Sequence, residues 1–115
     1  MPLKTRPISW IKAALRDFQN FPEGARTEIA RVLVIAAEGG KADIAKPMKG
    51  FSSGVFEIAL KYRGDAFRAV YAVQIGDALW VVHAFQEKSK TGIKTPKHEI
   101  DLIHDRLGRL KEALR

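Results

Sequence analysis

The 115-residue chain is long enough for one core and too short for two, and its 46% hydrophobic and 29% charged residues are typical of a soluble globular domain. It has no cysteine, which excludes disulfides, thiolate zinc sites and cysteine nucleophiles, and no apolar run reaches the roughly 20 residues that span a bilayer. Twenty Lys and Arg against thirteen Asp and Glu leave a net charge of +7, which attracts polyanions, nucleic acid first among them, although the same charge also serves simply to keep a small domain soluble.

With no internal repeat, residues 1–115 read as a single domain. The opening MPLKTRPISW has neither an apolar h-region nor a small-residue cleavage site, so a cytoplasmic protein without membrane insertion is expected. Ile8, Ile11, Leu15 and Phe18 recur at helical spacing and predict a first helix from Ser9, a capping residue, to Asn20. Pro22 ends it and suits the first turn of a second helix, whose stripe of Ala25, Ile29, Val32, Leu33 and Ala36 runs to Gly39-Gly40. Together the two predict a helical hairpin. GGKADIAKPMKGFSS, residues 39 to 53, lacks periodicity and reads as a loop that carries Lys46 and Lys49.

Three strands follow, Val55 to Tyr62, Ala66 to Ile75 and Ala78 to Gln86, rich in β-branched and aromatic residues. Gly64-Asp65 and Gly76-Asp77 separate them. Gly first in a two-residue loop is what a type II′ turn requires, so an antiparallel meander with two tight hairpins is predicted. Thr95 then caps a last helix that Pro96 opens, with an apolar stripe of Ile100, Ile103, Leu107, Leu110 and Leu114.

With these loops Lys61 faces Arg68, Arg68 faces Phe85, and Ala59, Val70 and His83 line up. Alternation puts Phe56, Ile58, Leu60, Tyr62, Phe67, Ala69, Tyr71, Val73, Trp80, Val82 and Ala84 on one face, the core that helices should cover. The opposite face carries Glu57, Lys61, Arg68 and His83 among Ala59, Val70, Ala72, Val81 and Phe85. Lys61 facing Arg68 calls for a compensating anion, either Glu57 or Glu87 nearby or a ligand phosphate. A strand-borne Arg bordered by Lys88, Lys90 and Lys94 from the following loop would grip a phosphodiester, and Phe85 beside it could stack on a base. An ordinary half-exposed antiparallel sheet shows the same alternation, and only the clustering of cations at its centre argues for a phosphate site.

His98, Asp101 and Asp105 read as a solvated helix face rather than a metal trio, HEIDLIH has its histidines six apart, and neither a P-loop, a dinucleotide fingerprint nor a nucleophile elbow is present. No metal or cofactor is expected.

The ordered set of helix hairpin, KPMKG, GVFEIAL, AFRAVYAV, VVHAFQEKSKTGIKTP and HEIDLIHDRL resembles the phage-derived Gp49-like branch of the RelE/ParE superfamily, the HigB-like toxins, from about Trp10 to Leu110. Its most specific pieces are FR-x-VY around Arg68, and HAFQ-x-K followed by K-T-P, here Phe85, Lys88, Lys94 and Pro96. Glu87 precedes Lys88 where many relatives carry two lysines.

The resemblance implies an α+β fold, a helical hairpin packed on one face of an antiparallel β-meander with a C-terminal helix. It further implies a type II toxin–antitoxin toxin that cleaves ribosome-bound mRNA without metal, the 2′-OH attacking the adjacent phosphate. On this resemblance the catalytic residues are Arg68 at the phosphorane, Lys61 and Lys88 assisting electrostatically, and His83 or Glu57 moving the proton, His83 having an unperturbed pKa near neutrality. Lys46, Lys49, Phe85, Lys90 and Lys94 would hold RNA. The implied partners are mRNA on the ribosome and a cognate helix-turn-helix, HigA-like antitoxin. Alternatives on the same scaffold are a ParE-like inhibitor of DNA gyrase that is no nuclease, and a non-catalytic basic RNA-binding module.

Overall fold

The computed structural model describes residues 5–87 and 95–115. In chain order they form β1 (Ile8–Trp10), α1 (Lys12–Gln19), α2 (Glu23–Ala37), β2 (Ala45–Pro47), β3 (Val55–Tyr62), β4 (Asp65–Ile75), β5 (Ala78–Glu87) and α3 (Lys97–Ala113). The five strands make one sheet in the order β1-β5-β4-β3-β2. The predicted meander of β3, β4 and β5 is its centre, and two short strands that the sequence did not announce flank it. Among the described residues no helix is long and apolar enough to cross a membrane.

The first helix is shorter than predicted. Ile8–Trp10 pairs in parallel with Leu79–Val81, and the helix begins at Lys12 with no side-chain cap, so Ser9 lies within a strand. Leu79 N–H donates to Pro7 O at 2.9 Å and Ile11 N–H to Val81 O at 3.0 Å, which engages backbone groups on both sides of the new strand. Tertiary pairing has overridden a helical periodicity that Ile8 and Ile11 share with the true helix. The second helix ends where predicted. Gly39, at φ 97°, donates to Ala36 O and Gly40 to Ile35 O, the paired bonds of a Schellman cap. Within the predicted loop, Ala45–Pro47 forms an edge strand against Phe56–Ile58, where Pro47 is tolerated because an edge N–H needs no ladder partner.

The first hairpin turns one residue earlier than predicted. Tyr62 pairs with Asp65, so Arg63 and Gly64 form the loop, both with positive φ (52° and 87°), as a type I′ turn demands. Lys61 therefore faces Ala66, and Arg68 faces Ala59. Because the slip is two residues in register, the parity of both strands survives and their faces are unchanged. The second hairpin follows the prediction: Ile75 pairs with Ala78 and Gly76 has φ 65°.

Two register shifts within the β4–β5 pairing were not foreseen: one lies between Ala72, which faces Trp80, and Ile75, which faces Ala78, and the other is a bulge nearer the middle of β5. Val70 pairs with His83 but Tyr71 pairs with Val81, which leaves Val82 as the extra residue of a β-bulge. Past it the faces of β5 exchange. Leu79 and Val81 join Ile58, Phe67, Ala69, Tyr71 and Ala84 beneath α1 and α2, whereas Val82 and the half-buried Trp80, both expected there, lie on the other side. That other face is not half-exposed: Ile103, Leu107 and Leu110 of α3 pack on Val55, Val70, Ala72, Ile75 and Val82. The sheet is thus covered by the hairpin on one face and by α3 on the other. Burying a side chain such as Ile103 contributes about 2 kcal/mol, so α3 is held by its apolar stripe before any polar contact is counted.

Candidate functional site

Three cross-strand rows order the α3 side of the sheet. Lys46, Glu57, Val70 and His83 form one; Ala59, Arg68 and Phe85 the next; Lys61, Ala66 and Glu87 the third. Arg68 and Glu57 are diagonal neighbours, and Arg68 Nη1 lies 3.0 Å from Glu57 Oε1 with their side chains 10% and 16% exposed. Of the compensating anions expected for Arg68, Glu57 is thus in contact. Lys61 is exposed at the strand end and is not the residue opposite Arg68. Thr95 Oγ1 donates to the second carboxylate oxygen, Glu57 Oε2, at 2.5 Å. Thr95 was expected to cap α3, but the N-cap is Pro96 and no side chain caps that helix. The hydroxyl ties the start of α3 to the sheet instead.

His83 is 2% exposed between sheet and helix. Its Nε2 lies 2.5 Å from Glu99 Oε1, and its Nδ1 lies 2.7 Å from Arg106 Nη1, which also donates to Val82 O at 3.2 Å. Arg106 can only donate, so Nδ1 accepts and the ring proton sits on Nε2, directed at Glu99. Glu99 Oε2 in turn lies 3.0 Å from Nε2 of the exposed His98. Burial, and secondarily the Arg106 charge, lower the His83 pKa, against the pull of Glu99 and Asp17 upward. The imidazole is therefore held neutral, unlike the unperturbed group expected from sequence. Tyr71 is no acid–base candidate either, since burial pushes its pKa up to about 12.

The structure thus brings Glu57, Arg68, His83 and Phe85 together on one face, with the Phe85 ring 5.4 Å from the His83 ring. Lys46 is exposed beside Glu57, and Lys49 is exposed just after β2. Lys88, Lys90 and Lys94 lie outside the described residues. Glu87 is 7% exposed on β5, so it is not a charge simply subtracted from an open rim. Among the described residues, no group of three or more His, Asp or Glu side chains is placed to hold a metal ion.

As site residues, Thr95, which the sequence offered only as a cap, and Glu99 and Arg106 escaped the sequence reading. The signal for the last two was the seven-residue spacing that puts both on the side of α3 bearing Ile103, Leu107 and Leu110. A cleft of about 390 Å³ opens beside this cluster, bounded by Asp17, Asn20 and Phe21 at the α1–α2 corner, by Phe85 and Gln86 of β5, and by Leu102 of α3.

Residues 16–108 match the model of the family described as phage-derived protein Gp49-like. A search of curated protein sequences gives no match. Among solved structures, a mutant Escherichia coli toxin RelE in the free state superposes with a TM-score of 0.63 at 14% identity, covering 92% of this chain and 98% of that one. RelE in the intact E. coli RelBE toxin–antitoxin complex gives 0.56 at 18% identity, covering 73% and 99%. The RelBE2 toxin–antitoxin complex of Mycobacterium tuberculosis gives 0.51 at 14% identity, covering 74% and 94%. The architecture is that of RelE, with helices on a five-stranded mixed sheet.

Proposed function

This chain belongs to the phage-derived Gp49-like family, and from that premise we propose that it is the toxin of a type II toxin–antitoxin pair, an endoribonuclease that cuts mRNA on the ribosome without a metal. Its fold, shared with a RelE that has been solved in complex with its antitoxin, supports the toxin half of this reading. A basic chain of net charge +7 would be shielded by an antitoxin of acidic surface.

The Arg68–Glu57 pair carries the nuclease half. A guanidinium and a carboxylate stand 3.0 Å apart on rigid central strands, with Lys46 and Lys61 exposed to either side. A phosphodiester entering between them exchanges the Glu57 carboxylate for two phosphate oxygens at Arg68, which then stabilises the phosphorane. Glu57, released but still held by Thr95, takes the proton of the 2′-OH as that oxygen bonds to phosphorus. The bond to the 5′ oxygen breaks, water protonates the leaving alkoxide, and the products are a 2′,3′-cyclic phosphate and a 5′-OH. His83, with both ring nitrogens engaged, keeps α3 and Phe85 in place. The test is purified protein in a translating extract with transcript 5′ ends mapped. New 5′-OH ends that vanish with Arg68→Ala are expected, and intact message at concentrations that arrest growth overturns the reading.

A second reading, a gyrase inhibitor on the same scaffold, is favoured by the same ion pair, because Arg68 is only 8% exposed and already neutralised. It predicts that DNA supercoiling stops while RNA stays whole.

A further inference from the structure

We propose that the cleft between the α1–α2 corner and α3 is a nucleobase pocket that selects guanine next to the phosphate at Arg68; this rests on the RNA reading given above. The pairing of β1 with β5 ends at Trp10 and Val81, where the chain leaves into α1. Beyond that point the edge of β5 away from β4 has no strand beside it among the described residues, and the cleft straddles this edge. It therefore receives side chains from both faces of the sheet.

Its lining suits a planar, neutral, hydrogen-bonding group. Half-buried Phe85 and exposed Leu102, at 40%, offer apolar walls for a ring. Asp17, whose side chain is 44% exposed, and the exposed amides of Asn20 and Gln86 offer polar contacts. Against one guanidinium in the lining, Arg106, which already donates to His83 and to Val82 O, stand the two carboxylates of Asp17 and Glu99, which repel a phosphate, so the cleft takes the base and leaves the backbone to Arg68 and the exposed lysines. The reach is right: Phe85 stands directly opposite Arg68 on the adjacent strand, and such neighbours are about 5 Å apart, within the span of one nucleotide from phosphate to base.

The carboxylate also decides which base. Guanine presents two adjacent donors, N1–H and the N2 amine, which match both oxygens of Asp17, while an amide N–H of Asn20 or Gln86 serves O6. Adenine and cytosine present one donor beside an acceptor, and uracil one donor between two acceptors. None of these satisfies a bidentate carboxylate.

The experiment measures binding of the full chain to short RNAs blocked against cleavage by 2′-O-methyl groups and differing in one central base. The guanine RNA should bind tightest, by about tenfold, and Asp17→Asn should erase that preference while leaving the other three RNAs unchanged. Leu102→Glu, at a position exposed enough to spare the fold, should weaken all four. If the RNAs bind without base preference and neither variant alters them, the pocket falls while the ribonuclease reading stands. If no RNA binds and no message is cut, both fall. If Leu102→Glu abolishes binding of a protein partner but leaves RNA binding intact, the cleft is a protein-docking site and the proposal is overturned.

Discussion

Arg68 and Glu57 meet at 3.0 Å although neither faces the other in the ladder: Glu57 stands opposite Val70 and Arg68 opposite Ala59. A diagonal contact of this kind places two charges on one face with little freedom, and both are largely withdrawn from water. Removing one partner therefore takes from the other, still largely buried, the opposite charge that compensates it. Glu57→Gln should destabilise the fold by roughly 3 kcal/mol, while the double substitution Glu57→Gln, Arg68→Met should recover much of that loss. Urea unfolding of the single and double variants checks it, and additive losses would show that the pair is not coupled.

The clamp of His83, Glu99 and Arg106 makes stability depend on pH. The His83 pKa in the folded protein lies below its unfolded value, so the unfolded chain binds the proton more readily. The contribution is whole above the unfolded pKa, near 6.5, and is lost as pH falls from about there through the lowered folded value. Thermal melts followed downward from about pH 7.5 should drop, and His83→Gln should flatten the slope in the window just below about pH 6.5. A parallel slope in both proteins would assign the effect to carboxylates elsewhere.

Tyr62, at the end of β3, lies so close to Gly24 at the start of α2 that a methyl group there would overlap the phenol. Gly24→Ala should therefore cost about 1–3 kcal/mol despite alanine's better helix propensity, and Tyr62→Ala should make the same substitution harmless or favourable. Chemical denaturation of the four proteins in that cycle is the measurement.

Arg63 holds a φ of 52° without being glycine. Its guanidinium lies 5.3 Å from the Tyr62 ring centre, which returns little at an exposed site. Arg63→Gly should raise stability by about 0.5–1 kcal/mol, and Arg63→Asn by somewhat less, seen as a higher melting temperature with unchanged RNA binding.

Long elements with strong periodicity were legible: α2 and its glycine cap, the three meander strands, and the stripe of α3. β1 and β2 were not, because three residues carry no periodicity and their existence depends on partners far along the chain. The Arg63-Gly64 turn was missed because arginine gives no local signal for positive φ. The Arg68–Phe85 row came out as expected because the two register shifts between it and the hairpin at Gly76 cancel, and the Arg68–Glu57 contact tolerated the wrong register because a slip of two keeps the face. The spacing of Glu99 and Arg106 put both on the apolar side of α3, but their partner was beyond reach. They meet His83 only through the docking of α3, 16 and 23 residues away in sequence, which no strand alternation encodes.

The bulge at Val82 divides β5 into two half-strands of opposite phase. Odd-numbered positions before it answer to the helical hairpin, and odd-numbered positions after it answer to α3. A one-residue deletion at Val82 would restore plain alternation and keep Trp80 and His83 on the α3 layer they already share, so the tolerance of this strand to change is counted from Val82 and not from its ends.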